Sequence, residues 1–344
     1  MSKPTGELPE GISKFRDQVA KKIKSYSSQR DGELFEMIRY HLGFEKSANS
    51  PGLQGKAIRS SLLLFITEGL GGDFHQSLPA AISLELIHNF SLVHDDIQDN
   101  DFLRRGRESV HAKWGSNQAI NAGDGLRDLA TLALIELSDG PNPELTLKAT
   151  KTLGSYSLRM ISGQVRDLQF MEAENITMDD YLSMIGDKTC ALLEASFHLG
   201  GIYAGASHDT IDHLTRIAKL LGYIFQVRDD WLGIWGKENK FGKPVKSDLI
   251  EKKRSFPIVY AFENGSDSKI DKLKKLYFSD QKLSDNEVSR VNDLLNEIGA
   301  KEKTNEWLKR YWDKILEQIN EVNLSNDAQS DLIEFGKYLL KREA

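Results

Sequence analysis

Four aspartates fall within seven residues of "LVHDDIQDND", residues 92–101: Asp95, Asp96, Asp99 and Asp101. The residues before them are apolar and read as a helix. On a helix Asp95 and Asp99 are i and i+4, and Asp96 and Asp99 are i and i+3, so all three are expected on one face, where like charges repel. A hard cation removes that cost. Mg²⁺ typically takes one or two carboxylates, with waters and phosphate oxygens completing the shell. His88 lies two turns earlier on the same face. A solvated acidic helix end is the simpler alternative for a lone "DDxxD". Against it, the helix is apolar, and "FLRRGRESVH" follows at once with Arg104, Arg105 and Arg107. Carboxylates for a metal beside arginines for phosphate are the parts of a Mg²⁺–diphosphate site.

The theme returns in "GYIFQVRDDWLG", residues 222–233, where Asp229 and Asp230 stand near the end of another apolar helix and Gln226 lies one turn earlier. A Gly/Lys-rich loop follows at 236–248 with Lys237, Lys240, Lys243 and Lys246, then Lys252 and Lys253. One charged loop is ordinarily just solvated. Two acid pairs, each ending an apolar helix and each followed by cations, imply two walls of one anion site.

Helices must carry these groups. Three- and four-residue apolar spacing predicts helices over 78–99, 144–170, 178–205 and 208–236, the first starting close to its proline and apolar nearly all round. No strand alternation, repeat or low-complexity tract stands out. The expected fold is all-α, one domain over residues 1–344 with 1–10 as a flexible lead-in. The formal net charge of −6 argues against a nucleic-acid partner. No apolar run approaches the ~20 residues of a membrane span, and the polar start is not a secretory signal. The lone cysteine, Cys190, forms no internal disulfide and fits a reducing compartment, expected to be the cytoplasm. It reads as helix filler.

With these residues in order, the chain resembles the trans-isoprenyl diphosphate synthases, the polyprenyl synthetase family, and most closely their short-chain geranylgeranyl and farnesyl members. "GKAIR" (55–59), "LIHNFSLVHDDIQD…LRRG", "GQVRDL" (163–168), "GDKTCAL" (186–192), "FQVRDD" (225–230) and "DLIEKKRSFP" follow in family order. The resemblance implies an isoprenoid-synthase helical bundle around a deep cavity, working as a homodimer. It implies head-to-tail condensation of isopentenyl diphosphate with an allylic diphosphate by ionisation, condensation and proton elimination, releasing pyrophosphate. By position, Asp95, Asp96, Asp99, Asp229 and, more weakly, Asp230 would hold Mg²⁺, three ions per site, with Mn²⁺ as an alternative. Arg104, Lys188, Thr189, Gln226, Lys243 and Lys253 would hold the allylic diphosphate. Gly55, Lys56, Arg59, His88 and Arg105 would form the isopentenyl diphosphate site. Asp95, Asp96, Asp99, Asp229 and Lys188 form the catalytic set. No side-chain base is needed, because the departing pyrophosphate takes the proton.

Departures are local. Gly233 replaces the third aspartate of the second motif, Ala57 and Ser60 replace a basic residue and a proline, and Lys246 stands where glycine is usual. Phe90 and Ser91, the fifth and fourth residues before Asp95, resemble the pattern of C20 synthases. C15 or longer products are the alternatives. A class I terpene cyclase would need a second motif that "DDWLGIWGK" lacks, and a non-catalytic subunit would not need the complete "DDIQD".

Overall fold

The computed structural model describes residues 8–45, 52–53, 55–137, 142–173, 175–236, 246–279 and 281–342. The architecture is all-α. An N-terminal layer comprises α1 (Glu10–Ser13), α2 (Arg16–Ser27) and α3 (Glu33–Leu42). The long middle helices are α4 (Ile58–Gly69), α5 (Phe74–Gln98), α7 (Ser116–Glu136) and α8 (Pro143–Glu172), with the short α6 (Val110–Trp114) before α7. Then come α9 (Met178–Ile185), a π-helical turn at Gly186–Cys190, α10 (Ala191–Tyr203) and α11 (His208–Trp235). The C-terminal part adds α12 (Ser247–Ile250), α13 (Phe256–Asn264), α14 (Asp267–Tyr277), α15 (Asp285–Ile298), α16 (Ala300–Ile319) and α17 (Asn326–Lys341).

Helix α10 is the hub. It packs on α4, α5, α8 and α11, which explains why its sequence is apolar all round. Gly200 makes the crossing with α4 close: a Cβ there would lie 2.8 Å from Ile66 Cβ and 3.0 Å from the carbonyl oxygen of Leu63. Helix α5 lies along α7 and α4. A second, smaller apolar cluster gathers Ile234, Leu249 and Ile258 with residues of α14 and α15. Caps fix several starts: the Asp73 carboxylate accepts the His75 N–H at α5, and a capping box joins Thr177 and Asp180 at α9.

Three expectations change. Helix α5 starts at Phe74, capped by Asp73, so Pro79 lies in the second turn rather than the first. The span predicted as one helix over 178–205 is broken by the π turn. And "LRRGRE" forms a small antiparallel hairpin, β1 (Leu103–Arg104) with β2 (Arg107–Glu108). Its two-residue loop has Arg105 at φ 54° and Gly106 at φ 76°, both left-handed as a type I′ turn requires. Among the described residues no helix is long and apolar enough to cross a membrane.

Candidate active site

A cavity of about 1650 Å³ opens between α4, α5, α8, α9, the π turn and α11. Its lining joins ionic side chains, Asp99 exposed among them, to apolar ones, of which Met160, Met184, Ile185 and Leu192 are buried while Ile161 and Phe225 are half-buried. The last turn of α5 brings Asp95 and Asp99 to it, and α11 brings Gln226, Asp229 and Asp230 from another wall. Burial, with the neighbouring charge of Asp99 added, raises the Asp95 carboxyl to about 6 even though Lys188 pulls it down. Burial also raises Asp99. Carboxylates held in this way favour an added cation.

Asp96 does not face the cavity. It is 1% exposed, and its Oδ1 accepts from Arg104 Nε at 2.8 Å and from Arg104 Nη2. The expectation that all three carboxylates share one face is therefore corrected: successive helical residues turn by about 100°, and the Asp96 carboxylate is taken by the hairpin arginine. Arg104 itself still reaches the cavity lining.

Asp230 lines the cavity, but both its oxygens are engaged. Tyr181 OH donates to Oδ2 at 2.5 Å, the Phe256 N–H donates to the same oxygen at 2.7 Å, and Gln226 Nε2 donates to Oδ1 at 2.9 Å. Burial pushes its carboxyl up to about 7, against these bonds. Asp229 is more open and pairs with Arg342 Nη2 at 3.1 Å. The space above Gly233, where the usual third aspartate would start, is filled by the carboxylate of Asp248.

Cations surround the carboxylates. Lys188 donates to Asp167 Oδ2 at 2.5 Å; burial pulls its ammonium down, but Asp167, Asp95 and Asp99 outweigh this and hold it above the usual lysine range. Thr189 donates to Gln226 Oε1 at 2.8 Å. Lys253 lies in the lining beside Asp248 and Glu251. Lys243 lies outside the described residues.

The second cationic group sits toward α4. Lys56, Arg59, His88 and Arg105 all line the cavity. Arg59 Nη1 lies 3.2 Å from His88 Nε2. Burial, helped by Arg59 and Arg105, pushes the His88 imidazole well below its usual range, so the ring is neutral and accepts this bond. Gly55 has φ 86°, and a Cβ there would come within 2.8 Å of Arg105 Nη2, so glycine makes room for that arginine. Phe90 and Ser91 line the cavity as expected, and His94 packs edge-on against the Phe90 ring at 5.0 Å. Cys190 is buried, which raises its thiol well above the ordinary range and leaves it unreactive.

Sequence reasoning did not single out Tyr338, Arg342 or Tyr181. Lys56 Nζ donates to Tyr338 OH at 2.5 Å, and Tyr338 and Arg342 both line the cavity from the C-terminal end. Their i, i+4 spacing was the one available signal, and it does not say what they meet. Asp167, inside the quoted "GQVRDL", was visible but given no role.

The donors suit Mg²⁺. Among the described residues no three His, Cys, Asp or Glu converge as a ready-made metal cage. Hard carboxylate oxygens on two walls of a cation-rimmed cavity are what an ion completed by phosphate oxygens and water needs.

The family model "Polyprenyl synthetase" matches residues 45–298. The (2E,6E)-farnesyl diphosphate synthase of Mycobacterium bovis is 31% identical over 328 residues, covering 94% of this chain and 90% of that protein. The geranylgeranyl diphosphate synthase of Saccharolobus solfataricus is 34% identical over 285 residues, covering 82% and 84%. Among solved structures, geranylgeranyl pyrophosphate synthetase from Pyrococcus horikoshii superposes with TM-score 0.86 at 33% identity, covering 97% of this chain and 99% of that one.

Proposed function

The chain belongs to the polyprenyl synthetase family and is a prenyl-transferring enzyme of the trans-isoprenyl diphosphate synthases, and from that premise we propose that it extends an allylic diphosphate with isopentenyl diphosphate to a C20 product. The observation that carries this reading is the cavity's lining: carboxylates and cations joined to buried apolar side chains, with Phe90 in the wall.

The two cationic groups divide the work. Asp95, Asp99 and Asp229 would hold Mg²⁺, which when bound would supply charge neutralisation to the leaving diphosphate; three ions per site, or Mn²⁺ instead, are compatible with this donor set. Lys188, Thr189, Gln226, Arg104 and Lys253 bind the allylic diphosphate and stabilise charge as its C–O bond breaks. Lys56, Arg59, His88 and Arg105 hold isopentenyl diphosphate by charge-assisted bonds without ionising it, and orient its double bond toward the allylic carbon. The released pyrophosphate takes the proton. Asp96 and Asp230 act through their partners, Arg104 and Gln226.

The hydrocarbon tail grows along the apolar lining past Phe90, five residues or about 7.5 Å along α5 from Asp95. Purified protein with Mg²⁺, isopentenyl diphosphate and geranyl diphosphate should give a linear C20 diphosphate. A cyclic hydrocarbon or no reaction would sink the reading. Phe90→Ala should lengthen the products by at least one C5 unit in mass spectrometry; unchanged length removes Phe90 as the floor. A C15 product is the second reading, favoured by the similarity to the M. bovis farnesyl synthase over 94% of the chain. A homodimer in the cytoplasm completes the proposal. The large apolar side chains left exposed among the described residues lie on α7, on α8, and on the hairpin with the preceding Phe102; Leu147 and Leu158 are openly exposed, as a self-complementary contact would need.

A further inference from the structure

The "GQVRDL" segment of α8 and the π turn face each other at unusually close range. A Cβ on Gly163 would lie 2.6 Å from Lys188 Cα and 2.7 Å from the Asp187 carbonyl carbon, both backbone atoms that cannot swing aside. From the opposite side, a Cβ on Gly222 of α11 would lie 2.6 Å from Cys190 Sγ and 3.0 Å from Cys190 Cα. The π turn is thus gripped between two helices at positions where only glycine fits. Side chains tie it down. Asp187 Oδ1 accepts from Arg159 Nε at 3.1 Å, and its Oδ2 accepts from Arg166. Arg159 also donates to Glu194 at 2.9 Å and to the Gly186 carbonyl at 3.3 Å, while Arg166 donates to Ser183 Oγ at 2.7 Å. Asp167, from the same stretch of α8, meets Lys188 itself at 2.5 Å.

A π turn is rare, occurs mostly as a single widened turn inside an α-helix, and is frequent at functional sites. What this one positions is Lys188 and Thr189, two adjacent side chains that both reach the cavity. We propose that Gly163 and Gly222, with Arg159 and Arg166 as ties, are positioning residues that hold the π turn and so set where Lys188 and Thr189 meet the allylic diphosphate. This rests on the reading that those two residues bind that substrate.

The test is a cycle of Gly163→Ala, Lys188→Ala and the double variant, assayed as full-length enzyme with Mg²⁺, geranyl diphosphate and isopentenyl diphosphate. Thermal unfolding is followed alongside. Gly163→Ala should lower kcat/KM for geranyl diphosphate by roughly 100-fold, the scale of an ångström misplacement, while KM for isopentenyl diphosphate stays within about twofold. The double variant should lose clearly less than the product of the two single losses, because both changes act on Lys188 and only the share carried by Thr189 remains to be lost. Gly154→Ala, on the same helix with nothing within 4 Å of its added Cβ, should match wild type. If Gly163→Ala does not fold, Asp187→Asn, which weakens both arginine ties, replaces it in the same cycle. Losses that multiply in full, an equal rise in KM for both substrates, or wild-type kinetics in Gly163→Ala would overturn the proposal. Wild-type activity in Lys188→Ala would overturn the substrate reading beneath it, and positioning with it. The two failures are told apart by that single variant.

Discussion

At the scale of the residue, the aspartates that look alike in the sequence do different work. Asp95 is held at about 6, above the usual carboxylate range, by burial and by Asp99 against the pull of Lys188. A raised folded-state value means the native state holds the proton more tightly than the unfolded one. Asp95 therefore favours the fold fully below about pH 4 and loses that contribution as pH rises through 6. Asp95→Asn should raise the metal-free melting temperature at pH 8 by roughly 2–4 °C, with the gain shrinking toward pH 5, as read by calorimetry in a chelator. Adding Mg²⁺ should stabilise wild type more than the variant. Burial raises Asp96 too, but there Arg104 opposes it with a direct bond. Arg104→Ala leaves its buried carboxylate without that partner and should cost roughly 3 kcal/mol in urea unfolding. Residue type and spacing made the aspartates legible as a cation site. They could not say that Asp96 and Asp230 turn to protein partners, because Arg104, Tyr181 and the Phe256 N–H are brought in by other elements. Tyr338 and Arg342 were hidden for the same reason: their partners Lys56 and Asp229 lie far away in sequence, and periodicity carries no information about which helix ends meet.

At the scale of the element, apolar spacing gave α5, α8 and α11 to within a few residues, since a period of 3.6 is what their burial imposes, but it did not single out α7. It could not register the π turn. One widened turn leaves the apolar pattern on both sides intact, so 178–205 still reads as continuous. The hairpin escaped too, being two residues per strand. Gly200 is a sharper case: composition shows a glycine pair in a helix, and only the packing shows that α4 crosses there. Gly200→Ala should destabilise the protein by roughly 1–3 kcal/mol through overpacking, with the denaturant m-value unchanged. Two departures from the family pattern now have a conformational meaning. Ala57 and Lys246 have φ 47° and 65°, the left-handed region that glycine occupies at least cost.

At the scale of the whole molecule, the apolar face on α7 and α8 and the central cavity are linked, because Val165, Leu168 and Met171 are exposed and also line the cavity. A second copy seated on this face would shield them. The double variant Leu147→Glu, Leu158→Glu should sediment as a monomer where wild type sediments as a dimer, without losing helical circular dichroism. A wild-type monomer would remove the dimer from the proposal. The π turn has a consequence of a different kind, for heredity rather than energy. It stores a surplus residue inside a helix. Deleting one position there would let the winding close up and turn the preceding side chains by about 100° relative to those that follow. Surface loops absorb a gain or loss of length; this stretch cannot. What descent must preserve between Gly163's contact and Gly222's contact is a count. A descendant one residue shorter there would have a different active site, even with every named side chain retained.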